Sequence, residues 1–174
     1  MRANKAKEAV RMTLRKLNIA LGPKQTLADI RAAHPDRNLV MLREADDHAK
    51  YALVDQSGKD SVFATDLHFQ VLRTLNFQDW QGYIEFRYLT LDNDERKVFD
   101  SLVTTWDDSD KRPVGLQATA VLEQDDHNYQ YLMINEWENE EAYVTWANAS
   151  DNPLARFGYS GNKQAVVNRY ERVK

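Results

Sequence analysis

The stretch 128–150, NYQYLMINEWENEEAYVTWANAS, decides the fold because its apolar period changes from that of a strand to that of a helix. In its first ten residues the side chains alternate, so that Tyr131 and Met133 face one way while Leu132 and Ile134 face the other. This alternation predicts a strand that ends near the middle of the stretch.

The second part of the stretch predicts a short amphipathic helix. Three glutamates crowd its start, where carboxylates meet the positive end of the helix dipole. Tyr143 and Trp146 recur with alanines at steps of three and four residues and form an apolar stripe. Trp137 at the end of the strand and Trp146 late in the helix therefore place two large aromatic rings near one end of a sheet.

A strand that ends in Glu136 and Trp137, followed by acidic residues, Ala-Tyr, Trp and Ser, resembles the hallmark segment of the antibiotic-biosynthesis-monooxygenase (ABM) domain family. Within that family the chain looks most like the heme-degrading monooxygenases and their longer, two-part members. The resemblance covers about the last ninety residues, and a fainter likeness to the N-terminal extension of the long members covers much of the rest. It implies ferredoxin-like units that pair their sheets into a dimeric-type α/β barrel.

The composition excludes several classes of function. The 174 residues are 43% hydrophobic and 29% charged, which is ordinary for a globular protein of one domain or two small packed domains. A net charge of −4 gives no broad basic surface, so neither nucleic acid nor a membrane is expected as a partner. The chain has no cysteine, which excludes disulfides and thiolate chemistry. It has no apolar run that spans a bilayer and no apolar signal core, so we expect a cytoplasmic protein.

The second half of the chain predicts a ferredoxin-like unit in the order β-α-β-β-α-β. We expect its four strands to form one antiparallel sheet with both helices on one face, because the strands have period two and the helices carry one apolar stripe each. The predicted strands are 83–91, 116–123, 128–137 and 164–173, and the predicted helices are 94–106 and the segment that carries Trp146.

The first half offers a degenerate version of the same order, β-α-β-β-(β)-α, with its last helix over 65–75. We therefore predict an α+β protein with an N-terminal companion domain of related topology at 1–77 and an ABM-like ferredoxin-fold domain at 78–174. Two alternatives follow from the pairing of sheets in this family. Either one chain closes the barrel as a monomeric pseudo-dimer, or two chains pair their C-terminal sheets as a homodimer.

The resemblance implies three functional positions of the heme-degrading members: an Asn on the first strand, a Trp on the last helix, and a His just after it that ligates heme iron. The Trp matches Trp146, to which the resemblance assigns a catalytic role and which is otherwise a packing aromatic. Arg87 stands at the Asn position, where it could bind a propionate or another carboxylate, or pair with Glu85. Phe157 stands at the His position and cannot ligate iron.

The other candidate ligands are scattered. Tyr159 could supply a phenolate or simply pack. The histidines show neither helical pairing nor closely spaced carboxylates, so no metal site is predicted. His68 is the one that an N-terminal unit completing the barrel could bring near the cleft. The four histidines are His34, His48, His68 and His127.

Two functions stay open at this point. In the first, a monooxygenase-like protein acts on or binds a flat aromatic or heme-like ligand through Arg87, Trp146, Phe157 and Tyr159. Heme is then a candidate ligand, and no cofactor is assigned. In the second, a non-catalytic protein binds a ligand or partner in a stress or signalling role. A cavity lined by Trp146 and Arg87 favours the first function, and a cavity filled by Phe157 and Phe86 favours the second.

Overall fold

The structure, a computed structural model, describes residues 14–124, 130–160 and 163–174, and it gives Tyr159, Ser160 and Lys163 by their backbone alone. Within this part of the chain, eight strands close an antiparallel barrel and two further strands form a short separate hairpin. The barrel strands are β1 Lys16–Gly22, β2 Leu39–Glu44, β3 Tyr51–Asp55, β4 Leu67–Leu75, β5 Tyr83–Thr90, β6 Leu116–Gln124, β7 Gln130–Trp137 and β10 Val166–Arg172, and the hairpin is β8 Tyr159–Ser160 with β9 Lys163–Gln164. The helices are α1 Lys24–Ala33, α2 Asn93–Thr105 and α3 Glu140–Ala147, with a 3-10 helix at Pro153–Phe157.

The barrel consists of two sets of four strands with the same internal order. The N-terminal set runs β4-β1-β3-β2, and the C-terminal set runs β10-β5-β7-β6. In each set the fourth strand lies beside the first, the first beside the third, and the third beside the second, as in a ferredoxin-like unit. The predicted α+β, ferredoxin-like barrel is therefore confirmed, including the four-stranded C-terminal sheet.

The eight strands of one chain suffice to close the barrel. The two sets join where β2 pairs with β10, and again where β4 pairs with β6. The predicted domain boundary, 77/78, falls between β4 and β5. The independence of 1–77 and 78–174 as domains stays a prediction, as does the choice between a monomeric pseudo-dimer and a homodimer.

The helix predicted over 65–75 is wrong, because this segment forms β4. Leu67 and Phe69 alternate into the barrel interior, but the register against β6 shifts between Val71 and Arg73. Such a bulge reverses the facing of the residues beyond it, so the apolar spacing imitates a helix. The strand forms because it pairs with both β1 and β6, which satisfies backbone groups on both edges.

Strand alternation separates the barrel interior from an outer core. Phe86 of β5 points into the interior, where its ring centroid lies 4.9 Å from that of Tyr170 and 6.0 Å from that of Trp80. Large rings thus fill the barrel. On the opposite face of the C-terminal sheet lies an outer core, to which α2 contributes Phe99 and α3 contributes Tyr143. The position implied for the functional site belongs to this outer core.

Local capping fixes where the two helices over the outer core begin. The Asp92 side chain accepts hydrogen bonds from the backbone N–H groups of Asp94 and Glu95, and the Glu95 side chain accepts one from the Asp92 N–H. This reciprocal capping box starts α2. At the start of α3 the cap is one-sided: the Asn139 side chain accepts a hydrogen bond from the Ala142 N–H. None of the described helices is long and apolar enough to cross a membrane.

Candidate functional site

The candidate site lies on the outer face of β5 and β7, beneath α3. Side chains of a strand alternate between its two faces. Because Ile84 and Phe86 point into the barrel, Glu85 and Arg87 point outward, under the helices. The register places Glu85 opposite Asn135 of β7. Two charged side chains and an amide are therefore brought together in a layer that is otherwise apolar.

Glu85 is the centre of a buried polar group. Its side chain is fully buried. Arg87 Nε donates a hydrogen bond to Glu85 Oε1 at 2.7 Å, and Arg87 Nη2 lies 2.7 Å from the same oxygen in an ion pair. Glu85 Oε2 accepts from Asn135 Nδ2 at 3.1 Å and from the Trp137 indole N–H at 3.2 Å. The hydroxyl of Thr119 donates to Asn135 Oδ1 at 2.7 Å. A buried charge is tolerated when it is paired and hydrogen-bonded, and both oxygens of Glu85 meet that condition.

Trp146 covers this polar group from α3. The Arg87 guanidinium carbon lies 5.7 Å from the centroid of the Trp146 ring, which is within the range of a cation–π contact. The Trp146 ring tilts by 39° against Trp137, with 4.9 Å between their centroids. Trp146 is only partly buried, so part of its ring faces outward. Two of the residues singled out from the sequence, Arg87 and Trp146, thus meet at one place.

Phe157 lies in the same outer core but packs against α2. It is 3% exposed, and its ring meets that of Phe99 edge to face with 5.5 Å between centroids. It ends the short 3-10 helix that follows α3. Tyr159 begins β8, and its side chain lies outside the described part of the structure.

Two tyrosines border the polar group. Burial raises the pKa of Tyr143, and the Glu85 carboxylate adds to this effect. Burial likewise raises the pKa of Tyr83 to about 12, and no hydrogen-bond partner of its hydroxyl is found among the described residues. Both side chains are neutral phenols near pH 7. They can donate a proton in a hydrogen bond, but they do not serve as bases.

The histidines do not gather at this site. His68 lies on β4, where Nδ1 is 2.7 Å from Asn18 Oδ1 and Nε2 is 2.9 Å from Asp66 Oδ1. It belongs to the N-terminal strand set. His127 lies outside the described residues. Across the part of the chain that the structure describes, no group of three His, Asp or Glu side chains is placed to hold a metal ion.

The residues that sequence reasoning missed are Glu85 as a fully buried centre and Asn135 as its cross-strand partner. A partial signal existed, because Glu85 and Arg87 lie two residues apart and so share a face. Asn135 could not be added from local pattern, because its contact with Glu85 spans fifty positions of the sequence.

No family model and no curated protein matches the sequence, whereas solved structures match its fold. A monooxygenase-like protein from Listeria innocua aligns with a TM-score of 0.76 at 17% identity, over 92% of this chain and 95% of that one. A ferredoxin-fold protein related to antibiotic biosynthesis monooxygenases, from Listeria monocytogenes, gives 0.72 at 19% identity, over 91% and 95%. A heme-degrading enzyme from Listeria monocytogenes gives 0.69 at 18% identity, over 90% and 98%. The resemblance drawn from the sequence is thus confirmed for the fold.

Proposed function

We propose that this protein is a monooxygenase-like protein that binds a flat aromatic or heme-like ligand beside α3 and does not degrade heme through an iron-bound imidazole. The observation that carries this proposal is the contact between Arg87 and the partly exposed ring of Trp146. The fold shared with monooxygenase-like proteins supports it.

The Trp146 ring is suited to stacking against a flat ligand. The Trp146 ring packs against the Trp137 ring and contacts the Arg87 guanidinium, and these two contacts define its orientation. Glu85 already pairs with Arg87, so a ligand carboxylate has to share the guanidinium with it. Recognition therefore rests first on stacking and second on charge.

The residues at the implied iron-ligand position do not fit heme iron. Phe157 has no lone pair to donate, and Arg156 stays protonated in proteins. Phe157 is moreover buried against Phe99. At the implied amide position stands Arg87, which is bound to Glu85. A heme would thus be held by stacking, and no reaction step is assigned to its iron.

Non-catalytic binding of a ligand or partner is a second candidate function, and the packing of Phe157 and Phe86 favours it. Phe157 fills the outer core and Phe86 fills the barrel interior, at 3% and 0% exposure. Four clefts of about 300 to 730 Å³ lie elsewhere on the described surface, and none of these four is lined by Trp146, Arg87 or Phe157. None of these four clefts therefore supplies a chamber for a ligand beside α3.

Adding hemin to the protein, and then a reductant in air, distinguishes the two candidate functions. We expect hemin to quench tryptophan fluorescence in a saturable way, and we expect Trp146→Ala to weaken binding about tenfold, the equivalent of losing one good ring contact. We expect the Soret absorbance of the bound hemin to persist, because the matching segment offers no imidazole. Catalase is included to remove peroxide, which bleaches heme without an enzyme.

Two variants on α3 serve as controls. Trp146→Phe keeps an aromatic face and is expected to retain most of the binding, whereas Val144→Ala removes an exposed neighbour and is expected to bind like the parent. Loss of the Soret band with release of iron, abolished by Trp146→Ala, contradicts the proposal and makes Tyr159 and His68 the next residues to replace. Hemin binding that is absent, or unchanged in Trp146→Ala, favours the second candidate.

A further inference from the structure

A polar cleft that Trp146 does not line lies at one end of the barrel. It has a volume of about 410 Å³ and lies where β4 and β7 end and β6 begins, beneath the segment 76–82. Gly82 has a φ of +67°, and a Cβ there would collide with the carbonyl of Trp137. This glycine lets the overlying segment approach the end of β7 closely enough to wall the cleft.

Glu136 forms part of the cleft wall and is buried at the barrel end. It is 4% exposed and lies in register with Ala118 of β6 and Ile84 of β5. Its carboxyl group accepts a hydrogen bond from the backbone of Gln81. Its Oε1 atom has no hydrogen-bond partner among the described residues. A buried oxygen without a partner is costly, so a cation in the cleft has more to contribute to this carboxyl group than to one that is already paired.

The charges around Glu136 favour a positively charged ligand. Burial raises the pKa of Glu136 to about 8, and the nearby negative charge of Asp79 contributes to the rise. The hydrogen bond from Gln81 and the positive charge of Arg172 act to lower the pKa of Glu136. Arg172 of β10 is itself bound to Asp79, with Nη1 2.8 Å from Oδ1. Glu138 lines the cleft from the end of β7 and is exposed. The residues that line the cleft include no lysine or arginine, and their side-chain amides are those of Asn76, Gln78, Gln81 and Gln117.

We propose that this cleft binds an organic cation of the primary-ammonium class, whose charge pairs with the Glu136 carboxylate and whose N–H groups bond the surrounding amide oxygens. An ammonium group carries three donors and no acceptor, which matches a wall of carboxylates and amide carbonyls. A metal ion fits less well, because the described residues do not place three metal-binding side chains together. The proposal is independent of the ligand at Trp146.

Binding is coupled to release of a proton. Glu136 is mostly protonated at pH 7, since its pKa is about 8, and the ammonium group pairs with the carboxylate form. The proton of the Glu136 carboxyl therefore leaves to the buffer while the ligand keeps its own protons. We expect most of one proton to be released per ligand at pH 7, and the affinity to rise by up to about tenfold per pH unit below pH 8.

Titration calorimetry of the full chain with n-butylammonium, in two buffers of different ionisation enthalpy, measures both quantities. Tetramethylammonium carries the same charge without N–H donors and is expected to bind at least about tenfold more weakly, because it cannot form the hydrogen bonds. Glu136→Gln is expected to abolish both binding and proton release. Glu141→Gln neutralises an exposed carboxylate of α3 outside the cleft and is expected to stay within about twofold of the parent.

The carboxyl carbon resonance of Glu136 tests the same inference without any substitution. Its titration midpoint is expected to move to lower pH when n-butylammonium is added, because the bound cation stabilises the carboxylate. Three results would each overturn the proposal. They are the absence of saturable n-butylammonium binding at millimolar concentration, equal binding of tetramethylammonium, and a titration midpoint of Glu136 that does not move. Full binding by a folded Glu136→Gln protein would overturn it as well.

Discussion

Glu85→Ala is expected to lower the free energy of unfolding by about 3–5 kcal/mol, the usual effect of removing one partner of a buried ion pair. The Glu85 side chain is fully buried and that of Arg87 is 11% exposed, so the variant leaves a guanidinium charge without a partner. The Nδ2 group of Asn135 and the indole N–H of Trp137 lose their acceptor as well. Urea denaturation followed by circular dichroism measures the change.

The double variant Glu85→Leu with Arg87→Met tests whether charge is the cause. It removes both charges at similar volume and is expected to recover most of the lost stability. Lys97→Ala breaks an exposed pair with Asp94 on α2, where both side chains face water, and is expected to leave the stability unchanged. If Glu85→Ala and Lys97→Ala unfold at the same urea concentration, the buried pair does not hold the outer core together.

Glu136→Gln is expected to raise the free energy of unfolding, by on the order of 5 kcal/mol at pH 9 and by little at pH 4. Burial raises the pKa of Glu136 from its ordinary 4.5 to about 8, so the folded protein holds this proton more tightly than the unfolded chain does. Its contribution to stability is complete below pH 4.5, decreases as the pH rises, and is lost above about pH 8. Glutamine carries no proton to lose, so the variant escapes this decrease.

Thermal or urea unfolding of both proteins between pH 4 and pH 9 measures that difference. Glu138→Gln is the matched control, because it neutralises the neighbouring but exposed carboxylate two residues away. Parallel stability curves for the parent and Glu136→Gln across this range would show that the Glu136 carboxyl ionises as easily in the folded protein as in the unfolded chain. The cleft proposed for an ammonium ligand would then lack its protonated acid.

Sequence periodicity predicts the elements of the candidate site but not all of the contacts between them. The helix that carries Trp146 and the strand that carries Arg87 both follow from periodicity. The sequence also offers the pairing of Arg87 with Glu85 as one of two predictions, because the two residues share a strand face. The contact of Arg87 with Trp146 joins elements that are far apart in the sequence. No local pattern could add this contact, because it depends on how α3 lies across the sheet.

The segment 65–75 shows where local pattern misleads. Its apolar spacing resembles a helix because the bulge after Val71 interrupts the alternation of a strand. The competing principle is tertiary: the barrel closes only when a strand lies between β1 and β6, and their unpaired backbone groups favour that outcome.

The sequence by itself determined the periodic elements of the second half, their ferredoxin-like order and the absence of cysteine chemistry, because these depend on residue type and short-range spacing. Only the tertiary structure decided that one chain supplies all eight barrel strands and that Phe157 packs against Phe99. It also decided that Glu136 is buried with an oxygen that has no partner among the described residues. Burial and pairing are set by residues far away along the chain. They govern the cost of a charge or an unpaired oxygen, so the chemistry of both sites follows from the folded protein.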